Sequence, residues 1–135
     1  MRKILAIAQF VLLVGLSATS AQAQTVTGAA TIALKNGESA TIGNIYWVSH
    51  CRSMLKGPPE VEVLEGPPGL TATITEAMVL PRAQKCANKV SGGTLVVSAK
   101  DIEDASLTPV TLRITYHTRD GDRKLSHILN VSLLP

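Results

Sequence analysis

The sequence predicts an all-β fold: an immunoglobulin-like β-sandwich of about seven short strands with one disulfide, behind a cleavable signal peptide. Three observations carry this. Apolar residues recur with a period of two along most of the chain, and no stretch after residue 24 holds a 3.6-residue period. Gly, Pro, Asn and Asp punctuate the alternating runs at short intervals. Two cysteines, Cys51 and Cys86, follow a leader that reads as an export signal.

The leader comes first. Arg2 and Lys3 precede an apolar run from Ile4 to Leu16, broken only by Gln9 and Gly15. Ser17 to Ala23 is small and polar and closes on Ala21-Gln22-Ala23, a small-x-small cleavage pattern. An apolar run of 13 residues is short for a permanent membrane span. Residues 1–23 are therefore expected to be removed, leaving residues 24–135 as a single domain of 112 residues. The whole chain carries 13 Lys and Arg against 10 Asp and Glu, a net charge of +3; without Arg2 and Lys3 the balance is 11 to 10, or +1. A nearly neutral domain gives no reason to expect nucleic acid as a partner. Phe10 leaves with the leader, so the domain keeps only Tyr46, Trp47 and Tyr116 as aromatics. Its core must come from Val, Leu, Ile and Ala. In an exported chain Cys51 and Cys86 are expected to bond. Such a bond closes a loop of about 35 residues and is worth roughly 4 kcal/mol on chain-entropy grounds.

The strands follow in order. Thr31–Leu34 and Ala40–Ile42 flank Lys35-Asn36-Gly37-Glu38, a turn built on Asn-Gly. Ile45–Val48 is a short apolar run ahead of Cys51. Leu70–Thr75 alternates, with Leu70, Ala72 and Ile74 inward and three threonines outward; Thr94–Ala99 does the same through Leu95, Val97 and Ala99. Pro81–Lys89 is the one helical candidate, one or two turns with Pro81 in the first turn and Asn88 as C-terminal cap. Val110, Leu112, Ile114 and Tyr116 alternate with polar residues ahead of Arg119-Asp120-Gly121-Asp122. With Asp120-Gly121 as a two-residue turn, Arg119 faces Asp122, Leu112 faces Leu129, Val110 faces Val131 and Tyr116 faces Leu125. A slip of one residue would set Leu112 against Ile128 and Tyr116 against Lys124.

Gly57-Pro58-Pro59 and Gly66-Pro67-Pro68-Gly69 bracket Glu60–Glu65. Proline cannot donate to a sheet ladder, so this segment reads as a short edge strand with Val61 and Val63 on one side. Glu60, Glu62 and Glu65 make it acidic, while Arg82, Lys85 and Lys89 form a basic group around Cys86. These six residues are the candidate partner-binding positions. Prolines and charges also protect sheet edges from aggregation, so both uses stay open.

Cys51-Arg52-Ser53, the two proline blocks, and the tail Tyr116-His117-Thr118-Arg119-Asp120-Gly121 resemble short, uncharacterised secreted proteins of Gram-negative bacteria. The resemblance covers most of residues 24–135. It implies a periplasmic address and a compact β domain, and it transfers no catalytic residue. An antibody-type domain is a poorer match, because Trp47 precedes both cysteines and Gln84 stands two residues before the second.

Chemical motifs are sparse. There is no Gly-x-Ser-x-Gly or Cys-x-x-Cys, and Asp101, Glu103 and Asp104 lack calcium-loop spacing. His117 is expected to point outward beside Lys124, and His127 inward opposite Ile114, so the two cannot share one ion. His50 adjoins Cys51. No cofactor is expected. The sequence points to a non-enzymatic periplasmic or secreted module that binds another envelope protein or envelope component. The alternatives are a small inhibitor of a hydrolase, acting through a rigid loop such as Gly57–Gly69, and a periplasmic metal carrier.

Overall fold

The computed structural model describes residues 30–135, so the leader and its cleavage site lie outside the described residues. Among the described residues nine strands build an all-β structure: β1 (Ala30–Lys35), β2 (Ser39–Ile45), β3 (Val48–Ser49), β4 (Arg52–Ser53), β5 (Glu60–Glu65), β6 (Leu70–Val79), β7 (Val90–Ala99), β8 (Ser106–Thr118) and β9 (Gly121–Leu134). They form a four-stranded sheet in the order β1-β9-β8-β5 and a three-stranded sheet in the order β2-β7-β6; β3 and β4 pair with each other. β1 runs parallel to β9, and the other pairs are antiparallel. The two-residue strands β3 and β4 take the count past the expected seven or so, and, against the expectation of short strands, β8 and β9 are 13 and 14 residues long.

The inward residues of both sheets share one hydrophobic cluster. β8 contributes Val110, Leu112, Ile114 and Tyr116, and β9 contributes Leu129, Val131 and Leu133. From the other sheet come Ile45, Leu70, Leu95, Val97 and Ala99. Val97, Val110, Leu112 and Val131 are fully enclosed. This is the aliphatic core the composition requires. Tyr116 is the one buried aromatic among the described residues, and Trp47 packs on it with ring centroids 5.0 Å apart. At the other end of β7 two glycines allow close backbone approach: a Cβ at Gly92 would run into the Ile45 carbonyl oxygen and the Val79 side chain.

Two turns depart from the expected geometry for one reason. At Lys35–Glu38 the positive φ falls on Gly37 alone, at 85°, and the Glu38 N–H donates to the Lys35 carbonyl at 2.9 Å. That is the sign pattern of a type II turn, which does not match hairpin twist. The strands it joins therefore enter different sheets. The turn ties the sheets together: the Asn36 N–H donates to the Leu134 carbonyl at 2.8 Å, and the Gly37 N–H to the Ala99 carbonyl at 2.9 Å. At the β8–β9 turn neither Arg119 nor Asp120 takes a positive φ, while Gly121 does, at 107°. The two-residue loop is thus Arg119-Asp120, with no positive φ at either central position and Gly121 as the first residue of β9, rather than the expected Asp-Gly turn. The register moves by two residues. Thr118 faces Gly121, Val110 faces Leu129, Leu112 faces His127, Ile114 faces Leu125, and Tyr116 faces Arg123. A two-residue shift leaves each side chain on its expected face and changes only its partner. The expected Arg119–Asp122 pair is lost, and His117 takes its place opposite Asp122.

The expected helix shrinks to a 3₁₀ turn at Arg82–Gln84. It is capped by Pro81 before it and by Lys85, in the left-handed region, after it, instead of by Asn88. Cys86 must turn back at once to reach Cys51, which leaves no room for a second helical turn.

Candidate interaction surface

β5 lies where the proline brackets put it, at the edge of the four-stranded sheet, with β8 as its only strand neighbour among the described residues. Val61 and Val63 pair with Ile114 and Leu112 and pack against the core, while Glu60, Glu62 and Glu65 are exposed. A bulge between Val63 and Glu65 leaves Leu64 out of register and partly exposed.

The acidic residues do not stand alone. The Arg113 guanidinium on β8 reaches Glu62, with Nη1 to Oε1 at 3.6 Å. His117, also on β8, uses both ring nitrogens. Nε2 lies 3.4 Å from Glu60 Oε2 on β5, and Nδ1 lies 2.9 Å from Asp122 Oδ1 on β9. The hydrogen bond to Asp122, helped by Glu60, raises the imidazole pKa, and the same bond lowers that of Asp122. The backbone joins the same corner, since the Lys56 N–H donates to the His117 carbonyl at 2.8 Å. The imidazole sits between its two carboxylates as a bridge, so the three groups do not converge on one point. His117 points outward as expected, opposite Asp122 rather than Lys124. Arg113, His117 and Asp122 were not singled out as site residues from the sequence. The signal that finds two of them is the hairpin register: once Thr118 faces Gly121, His117 must face Asp122.

The basic candidates form a separate group. Arg82, Lys85 and Lys89 are all exposed on the turn that leaves β6, a strand of the other sheet. Cys86, enclosed among them, bonds to Cys51 on the β3–β4 turn, with the two Cα atoms 5.5 Å apart.

The histidines stay apart: His50 lies on the β3–β4 turn, and His127 faces inward opposite Leu112 rather than Ile114. Among the described residues, the Nε2 of His127 is buried without a hydrogen-bond partner, and no three His, Cys, Asp or Glu side chains gather in a metal-binding arrangement. A cavity of about 170 Å³ is lined by Leu55–Pro58, Glu76, Ser91 and Gly92. It is smaller than the usual small-molecule site of ~300 Å³ or more. Comparison with known protein families, with curated proteins and with solved structures finds no match to this chain.

Proposed function

We propose that this chain is a non-enzymatic interaction module, periplasmic or secreted, which docks another envelope protein or envelope component through its acidic edge strand. The observation that carries the reading is β5 itself. It has one sheet neighbour, three exposed carboxylates, and a Gly-Pro-Pro block on either side. An edge strand with fixed ends loses little conformational freedom when a partner adds to it. Its charge favours a partner with a basic surface. Arg113 and His117 contact Glu62 and Glu60 from the neighbouring strand β8 and so help to preorganise the face.

The arrangement also supports an immunoglobulin-like reading of the fold. β2, β7 and β6 take the places of strands B, E and D, and β5, β8 and β9 those of C, F and G. The Cys51–Cys86 disulfide fits an oxidising, extracytoplasmic compartment. No helix among the described residues is long and apolar enough to cross a membrane.

The test is affinity capture from envelope extracts by the tagged mature chain, beside a variant carrying E60K, E62K and E65K. A partner retained by the native chain and lost at least tenfold in the variant supports the edge. Equal retention by both overturns it. A second variant, with R82E, K85E and K89E, tests the basic turn in the same way. If the captured partner is a hydrolase whose activity falls on binding, the inhibitor alternative replaces the general one.

A further inference from the structure

Among the described residues, left-handed non-glycine backbone is concentrated at the corner that holds the disulfide. The β3–β4 turn has two central residues, His50 and Cys51, with φ of 50° and 58°. Positive φ at both positions is the pattern of a type I′ turn, which normally takes Asn-Gly or Gly-Gly because side chains beyond Cα crowd there. Neither residue is Gly or Asn. On the other side of the bridge Lys85, adjacent to Cys86, has φ of 57°. Three of the four non-glycine residues with positive φ among the described residues therefore sit at or beside this one bond. Each such residue is disfavoured relative to ordinary backbone and persists only where its surroundings impose it.

What imposes it here is small. β3 and β4 are two residues each. The Met54 N–H donating to the Trp47 carbonyl at 2.8 Å closes the hairpin itself; besides the bridge, the hairpin is tied to the body by the Ser53 hydroxyl donating to the Ser91 carbonyl at 3.0 Å, and the chain leaving it by the Arg119 N–H donating to the Met54 carbonyl at 3.0 Å and the Lys56 N–H to the His117 carbonyl at 2.8 Å. Neither cysteine belongs to the central hydrophobic cluster.

We propose that the Cys51–Cys86 bond is a thiol-addressable link that locks the β3–β4 hairpin, and that its reduction frees this hairpin while the two sheets stay packed. The co-reactant is an anionic thiolate, either a small thiol or the active thiolate of an oxidoreductase. The thiolate sulfur attacks the Cys51 sulfur, on the exposed turn. A new sulfur–sulfur bond forms to Cys51, the Cys51–Cys86 bond breaks, and its electron pair leaves with Cys86 as thiolate. A second thiolate then attacks the sulfur of the first reagent. This releases Cys51 as thiolate and the reagents as their own disulfide, so two electrons have passed to the protein. Arg82, Lys85 and Lys89 supply the positive field that steers an anionic thiol and stabilises the departing Cys86 thiolate. The basic group thereby has a use that does not depend on the acidic edge as a docking site.

The experiment is equilibration of the full mature chain in glutathione redox buffers, reading the fraction reduced by thiol labelling. Trp47, the one tryptophan of the chain, reports on the adjacent hairpin by fluorescence. Reduction should change Trp47 emission while the β-sheet circular dichroism persists. His50→Gly removes the crowding in the locked turn and should make the bond about fivefold harder to reduce. Asp101→Gly relieves the same kind of residue, with φ of 56°, on the loop between β7 and β8, and should leave the exchange constant unchanged. Arg82→Gln with Lys89→Gln should slow exchange with glutathione several-fold. Loss of the sheet signal on reduction overturns the proposal. So does an exchange constant that ignores His50→Gly, or one that moves equally with Asp101→Gly. None of these readouts involves a docking partner, so failure here leaves the edge-strand reading standing, and the converse also holds.

Discussion

The β8–β9 hairpin and the disulfide corner are stabilised in opposite ways. The hairpin is long, and its inward side chains are aliphatic and enclosed: Val110, Leu112 and Ile114 on one strand, Leu129, Val131 and Leu133 on the other. Only its glycine takes a positive φ. Its stability comes from apolar area removed from water and from a continuous ladder. The corner has two very short strands, one covalent bond and three left-handed non-glycine residues. The comparison teaches that a covalent bond can hold a conformation that packing and propensity would not select, whereas the hairpin needs no such help.

That contrast can be broken by mutation. Leu112→Ala, at the centre of the hairpin, is expected to cost about 3 kcal/mol, read by urea unfolding. Replacing both cysteines by serine should cost less, about 2 kcal/mol, because losing the ~4 kcal/mol of chain-entropy stabilisation is partly offset by relaxation of the turns. If the serine variant loses more than Leu112→Ala, the corner is a principal support and the contrast fails. Gly37→Ala, at the seam between the sheets, is expected to cost about 1 kcal/mol through its φ of 85°, since a Cβ there meets nothing within 4 Å.

The smallest effect sharpens the comparison at the hairpin's tip. The pKa of His117 is raised in the folded chain, so its contribution is complete below the ordinary imidazole value, about 6.5, and is lost as pH rises through the folded value. The pKa of Asp122 is lowered, so its contribution is present above the ordinary carboxylate value, about 3.9, and is lost as pH falls through the folded value. The row Glu60–His117–Asp122 should therefore support the fold best between about pH 4 and 6.5. His117→Gln should flatten the pH dependence of the melting temperature across the imidazole range. A slope unchanged in that variant would assign the dependence to other groups.

Much of this was legible in the sequence, and the parts that were not share a cause. Alternation assigned Leu70, Ala72 and Ile74 to the core side of β6, and Val110, Leu112, Ile114 and Tyr116 to that of β8, because side-chain period is a local property of extended backbone. The proline brackets located the β5 edge for the same kind of reason: a missing N–H is visible in the letter P. Turn type was not legible. Asn36-Gly37 and Asp120-Gly121 both spell hairpin turns, yet the positive φ falls on the glycine alone in each case. Which residue bends depends on where the flanking strands must go. The candidate site was half legible: Glu60, Glu62 and Glu65 could be read along one strand, whereas Arg113, His117 and Asp122 join them only across strands.

By itself the sequence determined that the chain is all-β, which face of each long strand is apolar, that β5 is an edge, and, with only two cysteines present, which pair could bond. Tertiary structure alone decided that β1 leaves β2 to run parallel with β9, that the hairpin register sits two residues from the expected one, and that His50, Cys51 and Lys85 take left-handed backbone. The first group follows from the chemistry of single residues and their immediate neighbours. The second follows from closing one core between two sheets and one bond between two turns, and such closure is satisfied by the whole chain at once.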